Sequence, residues 1–338
     1  MSAKLFDALR VHLEGDQFTR RIEPQSISDL PAGEVLVRVD WSALNYKDAL
    51  SASGHPGVTR EFPHTPGIDA AGEVVASESE DWKPGDPVLV TSYDLGMETE
   101  GGFGGYIRVP AEWVVRRPGD LSARQAMVLG TAGFTAAQCI RELRGRNVMP
   151  DKDGTTEVLV TGATGGVGSM AVAILAKLGY RVVAVSGKAD AVEWLEGLGA
   201  AEVLPREALT DGNAKRPVVK ARWAGVVDTV GGEPLAAAIK GVREWGTVTC
   251  CGLVASPELH TTVFPFILRH IALIGVSSQN CPIEPRREIW NDLVGPWRPV
   301  GLDDMAEEVD LQGLNDAIDR ILAGGVRGRV VVRHEHRG

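Results

Sequence analysis

Val158-Leu-Val-Thr-Gly-Ala-Thr-Gly-Gly-Val-Gly-Ser169 places an apolar strand, a turn of small residues and the start of an apolar helix in direct succession. It carries A-x-G-x-x-G at Ala163, Gly165 and Gly168. The small residues permit a tight turn, close backbone approach to a pyrophosphate, and close packing of helix on strand, with the anion on the helix N-terminus. The strand before, the helix after and a second strand ending at Val185 supply the context that a bare glycine motif lacks, so dinucleotide binding is expected here. The end of that second strand selects the nucleotide. An NAD site usually places Asp or Glu there for the ribose hydroxyls, whereas this chain has Ser186-Gly187-Lys188. Ser186 suits a 2′-phosphate, Lys188 supplies charge, and Arg206, just after the third strand, is a second cation, so the expected cofactor is NADPH.

The elements that must hold this loop change character along the chain. From Lys4 to Arg117 short strands alternate with turns such as Pro31-Ala-Gly33 and Pro84-Gly-Asp86. In Glu34 to Ser42 the residues Val35, Val37, Val39 and Trp41 alternate with mostly polar neighbours, which predicts a half-buried strand and an all-β, barrel-like unit. Ser122 and Gln125 have capping-box spacing and open a helical segment interrupted by Gly130-Thr-Ala-Gly133. From Glu157 onward apolar strands alternate with helices, the pattern of a doubly wound parallel sheet.

The 338 residues carry 35 Lys+Arg against 45 Asp+Glu, a formal charge of −10, and no basic stripe, so nucleic acid is not an expected partner. No apolar run approaches a membrane span, and the N-terminus lacks the apolar core of a signal peptide, so a cytoplasmic location is expected. Cys139, Cys250, Cys251 and Cys281 contain no C-x-x-C and are read as reduced thiols.

A β-rich first part, a nucleotide-binding part and a return segment resemble the medium-chain dehydrogenase/reductase superfamily over the whole chain. Zinc alcohol dehydrogenases place a cysteine ligand and a G-H-E tripeptide where this chain has Leu44-Asn-Tyr-Lys-Asp48 and Gly67-Ile68-Asp69, so no catalytic zinc is expected. Ser42-Ala-Leu-Asn-Tyr-Lys-Asp-Ala49, Phe62-Pro63 with Pro66-Gly-Ile-Asp69, Gly130-Thr-Ala-Gly-Phe-Thr-Ala136, Asp228-Thr-Val-Gly231 and Pro265-Phe-Ile-Leu-Arg269 are similar to the zinc-free acryloyl-CoA reductase family, whose members also carry the label quinone oxidoreductase. The resemblance implies an α/β fold: a GroES-like β-barrel catalytic domain over 1–127, completed by 271–338, and a Rossmann doubly wound parallel-sheet domain over 128–270. It implies a homodimer reducing an activated carbon–carbon double bond with NADPH. It places nucleotide contacts at Tyr46, Thr164, Gly165, Gly166, Val167, Ser186, Gly187, Lys188, Arg206, Leu253, Ile267 and Ser278. One departure is Val276-Ser277-Ser278, where the family commonly has Val-Asp-Ser.

Conjugate reduction requires a hydride at the β-carbon, a group that stabilises the enolate oxygen, and a proton for the α-carbon. The expected catalytic residues are Tyr46 as hydrogen-bond or proton donor, Asn45 orienting the substrate carbonyl, and Asp48 accepting a proton or fixing Tyr46. The plainer roles are packing for Tyr46 and helix capping for Asp48. Thr131, in the small-residue turn, is expected near the nicotinamide carboxamide. His55 and His64 stand in turn-forming surroundings, while His334 and His336 are expected to be exposed. A CoA thioester would need a local cationic patch, for which Arg269-His270, Arg286-Arg287, Arg20-Arg21 and Arg60 are the candidates. The expected function is reduction of acryloyl-CoA to propanoyl-CoA. The alternatives are an NADPH:quinone or 2-alkenal reductase and, from another class, a non-catalytic NADPH-binding sensor or structural protein. The strand from Ala272 to Val276 is the expected dimer edge.

Overall fold

The computed structural model describes residues 4–211 and 216–336. The chain divides into two units, 1–131 with 278–291 and 302–338, and 132–277 with 292–301. Among the described residues no helix is long and apolar enough to cross a membrane.

The first unit is built on a sheet whose path runs Ala306–Val309, Arg329–Arg333, Val35–Leu44, Asp69–Ser77, Pro87–Thr91 and Val115–Arg116, with Tyr106–Val109 also paired to Val35–Leu44. A separate hairpin joins Leu5–Glu14 to Gln17–Ser26. Val35, Val37 and Val39 are buried as the alternation predicts, but Trp41 is only half-buried. The pairing with Asp69–Ser77 shifts register between Val39 and Trp41, so Asp40 is an extra residue and the faces exchange. Beyond the shift Ser42, Ala43 and Leu44 are all buried, and Leu44 pairs with Val330. That pairing sets Asn45, the next residue, beside Arg329.

The second unit holds a six-stranded parallel sheet in the order Ala200–Pro205, Arg181–Ser186, Glu157–Val160, Trp223–Asp228, Val242–Cys250, Ala272–Gly275. Val158, Leu159, Val160, Val182, Val183 and Ala184 are fully buried, as expected of parallel strands covered on both faces. The strand order reverses between Glu157–Val160 and Trp223–Asp228, the switch point where such sheets bind nucleotides beyond the carboxyl ends of their strands.

The units differ from the expected limits of 1–127 with 271–338 and 128–270. Ala272–Gly275 follows the helix Phe264–Arg269 and pairs with Val242–Cys250, so it continues the β-α alternation as the sixth strand of the second unit. The segment Ala123–Gly145 is two helical stretches joined at Gly130, where φ is 47° and ψ −157°, and the units divide at Thr131 rather than at residue 127.

Candidate functional site

The phosphate loop joins the strand Glu157–Val160 to the helix Gly166–Lys177. Gly162 takes φ +60°, and a Cβ on Gly168 would run into the Gly162 carbonyl, so both positions require glycine. No side chain caps this helix: Gly165 is its N-cap, and the first amides stay available to an anion. Beside the loop, Thr161 Oγ1 donates to Asp228 Oδ1 at 2.6 Å and Gly231 N to Asp228 Oδ2 at 2.8 Å. These bonds tie together the two central strand ends at the switch point. Burial raises the Asp228 carboxyl above its ordinary value.

At the end of Arg181–Ser186 the backbone closes a tight turn, with Lys188 N donating to Ser186 Oγ at 2.9 Å. Arg206 starts the next short helix and lies over this turn; a Cβ on Gly187 would stand 3.0 Å from Arg206 Nη2. Arg206 makes no ion pair among the described residues. Ser186, Gly187, Lys188 and Arg206 therefore come together as a cationic socket with no carboxylate at the strand end, and the donor set fits a ribose 2′-phosphate. Leu253 and Ile267 are exposed side chains of the same unit. Tyr46 and Ser278 belong to the first unit, where Ser278 lies 3.5 Å from Ser92 Oγ.

In the first unit six side chains form one polar network. Asp48 and Asp69 are sealed from solvent and Arg329 is 2% exposed. Asp48 Oδ2 accepts from Asn45 N at 2.7 Å and Asn45 Nδ2 at 3.1 Å, and Asp48 Oδ1 accepts from Ile68 N at 2.8 Å. Asn45 Nδ2 also donates to Asp69 Oδ2 at 2.8 Å, and Asn45 Oδ1 accepts from Arg329 Nη1 at 3.0 Å. Thr131 donates to Asp69 from both N and Oγ1, the latter at 2.7 Å, and its Oγ1 lies 3.0 Å from Ser92 Oγ. Burial, and then the Asp69 charge, push the Asp48 carboxyl up to about 7.

This network revises three expectations. Asn45 spends both ends of its amide on Asp48, Asp69 and Arg329, and so is not placed to orient a substrate carbonyl. Asp48 is enclosed and caps the helix Tyr46–Ser51 through Asn45 N. Thr131 spends its amide and hydroxyl on Asp69 and Ser92. Tyr46 is different: it is half-buried at the first position of that helix, with no hydrogen-bond partner among the described residues.

The expected cationic patches are also revised, because most of their arginines are already engaged, although Arg60 is exposed with no ion pair among the described residues. Arg269 donates to Lys240 O at 2.8 Å and Val242 O at 2.9 Å. Arg286 is fully buried, donates to Thr91 O at 2.9 Å and Ser278 O at 2.9 Å, and stacks on the Tyr93 ring. Arg20, Arg21 and Arg287 pair with Asp319, Glu14 and Glu284. His334, expected outside, is buried with Nε2 2.8 Å from Gly102 O, and burial lowers its imidazole to about 4. His64 is buried against Gly96 O at 2.9 Å.

Asp69, Arg329 and Lys47 are the site residues that motif reading passes over. Asp69 and Lys47 stand inside family motifs without an assigned role, and Arg329 is the one charge entering the apolar run Val330-Val-Val332.

Comparison with known proteins matches residues 31–119 to the family described as alcohol dehydrogenase GroES-like domain and 166–294 to that described as zinc-binding dehydrogenase. The acrylyl-CoA reductase AcuI of Ruegeria pomeroyi is 40% identical over 330 residues, covering 97% of this chain and 99% of that protein. This chain belongs to the zinc-free branch of the medium-chain dehydrogenase/reductase family. It is an oxidoreductase. Two solved structures share the fold at full length. The yhdH oxidoreductase of Salmonella enterica, in complex with NADP, is 41% identical with a TM-score of 0.93, covering 97% of this chain and 100% of that one. The yhfP protein of Bacillus subtilis, with NAD bound, is 41% identical with a TM-score of 0.94, covering 98% and 100%.

The zinc in the second family description does not fit the residues of this medium-chain reductase. Where a zinc enzyme would offer thiolate and imidazole, Asn45 bonds Asp48, Asp69 and Arg329, and Arg329 is a fixed cation 3.6 Å from Asp69 Oδ2 that would repel a divalent ion. Among the described residues no group of three or more His, Cys, Asp or Glu side chains could hold a metal.

Proposed function

We propose that this medium-chain reductase uses NADPH to reduce the activated double bond of acryloyl-CoA, giving propanoyl-CoA. The observation that carries the reading is near full-length likeness to an acrylyl-CoA reductase, joined to a nucleotide loop whose second strand ends in Ser186, Lys188 and Arg206 rather than an acid. Bound NADPH supplies the hydride for the β-carbon. The chain's own contribution begins with the uncapped helix at Gly165, which takes the pyrophosphate, and with Ser186, Gly187, Lys188 and Arg206, which take the 2′-phosphate. Thr164, Gly166, Val167, Leu253, Ile267 and Ser278 complete the nucleotide contacts in this proposal. Tyr46, aimed by the capped turn at Asn45, offers its phenol to the cofactor or as the proton for the α-carbon.

A second reading, a quinone or 2-alkenal reductase, is favoured by one observation. The arginine pairs weighed as CoA phosphate ligands are engaged by protein carbonyls and carboxylates. The non-catalytic NADPH-binding alternative has no such observation behind it. A panel of acryloyl-CoA, a short 2-alkenal and a quinone, read by NADPH consumption, tests the proposal. Turnover of acryloyl-CoA above the others supports it; binding of NADPH with no turnover of any contradicts it.

We further propose a cytoplasmic homodimer. Ala272–Gly275 is an edge strand with one neighbour, and Val263, Phe264 and Leu268 nearby are exposed apolar side chains, a combination that pairs well with its twin. Light scattering showing a monomer at micromolar concentration would contradict the dimer.

A further inference from the structure

Several cations of the first unit are partly or wholly withdrawn from water, and most of the polar contacts of the two most deeply buried are made within the protein. Arg329 has Asp69 and Asn45, and Arg286 has a ring of carbonyls and the face of Tyr93. Lys47 is another. The residue is half-buried, and its ammonium donates to one neutral acceptor, Gln279 Oε1 at 3.0 Å, and forms no ion pair among the described residues. Gln279 is itself held in place: its Nε2 lies 3.4 Å from Asp94 Oδ1, its carbonyl accepts from Tyr93 N at 3.1 Å, and the same carbonyl accepts from Arg286 Nη2 at 3.4 Å. Ser92 and Tyr93, which frame this contact, both take left-handed backbone, with φ 65° and 52°. Two such residues in succession cost energy that the surrounding structure must offset, a pattern concentrated at functional sites.

An ammonium has three donors, and removing it from water without a counter-charge is costly. Such a group persists where an anion or a carbonyl oxygen gathering negative charge completes it. Burial lowers the Lys47 ammonium from its ordinary value, while Asp48 and Asp94 act in the opposite sense.

Resting on the function proposed above, we infer that the Lys47 ammonium, held by Gln279 beside Tyr46, receives the thioester carbonyl oxygen and stabilises the negative charge it takes up during reduction. This is the role that Asn45 cannot fill. The hydride forms the new C–H bond at the β-carbon, the alkene electron pair shifts toward the carbonyl carbon, and the carbonyl pair comes to rest on oxygen. When the α-carbon takes its proton the pairs return, the alkene is reduced and the dinucleotide is oxidised. Lys47 stays protonated throughout. Gln279 is a positioning residue.

The test compares wild-type protein, Lys47→Met and Gln279→Leu on acryloyl-CoA, with NADPH affinity measured separately by fluorescence titration. The expected result is a kcat about 100-fold lower in Lys47→Met, with the NADPH Kd within about twofold of wild type, and partial recovery in Lys47→Arg. A kcat within about threefold of wild type, or a loss explained wholly by weaker NADPH binding, overturns the inference. Should Lys47→Met fail to fold, Gln279→Leu decides: a kcat loss of about tenfold supports the inference and an unchanged kcat overturns it. A wild-type protein inactive on acryloyl-CoA overturns the function reading itself, whereas an active wild type with an active Lys47→Met overturns only the role of Lys47.

Discussion

Arg329 and Asp69 form an ion pair 3.6 Å long, with one side chain 2% exposed and the other sealed from solvent. They lie on strands far apart in sequence, and Asn45 joins them by bonding to both. The pair therefore locks the last strand to the turn that carries Tyr46 and Lys47.

Removing one partner leaves an uncompensated buried charge. Arg329→Leu is expected to destabilise the protein by about 3–5 kcal/mol, measured by urea denaturation at neutral pH. A loss below about 1 kcal/mol would mean that the network does not hold this turn.

Gly130 lies over the same pair. Its φ is 47°, and a Cβ there would stand 2.6 Å from Asp69 Oδ2 and 2.9 Å from Arg329 Nη2. Gly130→Ala should cost about 2 kcal/mol or more. Gly119→Ala, where nothing lies within 4 Å, should stay within about 0.5 kcal/mol of wild type. Equal effects in the two melting curves would contradict the placement of Gly130.

His334 sets an acid limit. In the unfolded chain its imidazole binds a proton from about 6.5 downward, whereas burial holds the folded one to about 4. Acid between these values favours the unfolded state, so this contribution to stability is present above about 6.5 and is lost as pH falls toward 4. His334→Gln should flatten the slope of stability against pH across that window. An unchanged slope would show that His334 does not carry it.

Asp48 works in the opposite sense. Its carboxyl is raised from 3.8 to about 7, so the folded state holds the proton longer and stability falls as pH rises between those values. Asp48→Asn should remove this decline, and denaturation midpoints at several pH values will show whether it does.

Arg206 should separate the two nicotinamide cofactors. Arg206→Ala is expected to weaken NADPH binding about tenfold or more, the scale of a lost hydrogen bond to a charged group, with NADH binding unchanged. Equal losses for both cofactors would remove Arg206 from the 2′-phosphate socket.

Local pattern carries the second unit well. The glycine loop, the run of apolar strands and the missing carboxylate after Val185 are all contiguous features, and the six-stranded sheet follows them. Long-range pairing is another matter. Nothing in the residues around Leu44 announces that it will pair with Val330, and hence that Asn45 will meet Arg329 and lose its free amide. The extra residue at Asp40 likewise turns Trp41 away from the face its alternation predicts. The arginine pairs read as open cations because a sequence shows charge density and not the acceptors nearby. Arg269 finds the carbonyls of Lys240 and Val242 only once that helix end and strand start are built. His334 is buried for a similar reason, its backbone N bonding Asp40 O and its ring Gly102 O.

The most direct measurement follows the hydride itself. Acryloyl-CoA is incubated with the enzyme and NADPH carrying deuterium at the transferred position of the nicotinamide, and the product is examined by NMR. The proposed function predicts propanoyl-CoA with one deuterium on the β-carbon and an α-proton taken from solvent. Deuterium on the α-carbon, or NADPH bound with no labelled product formed, would contradict it.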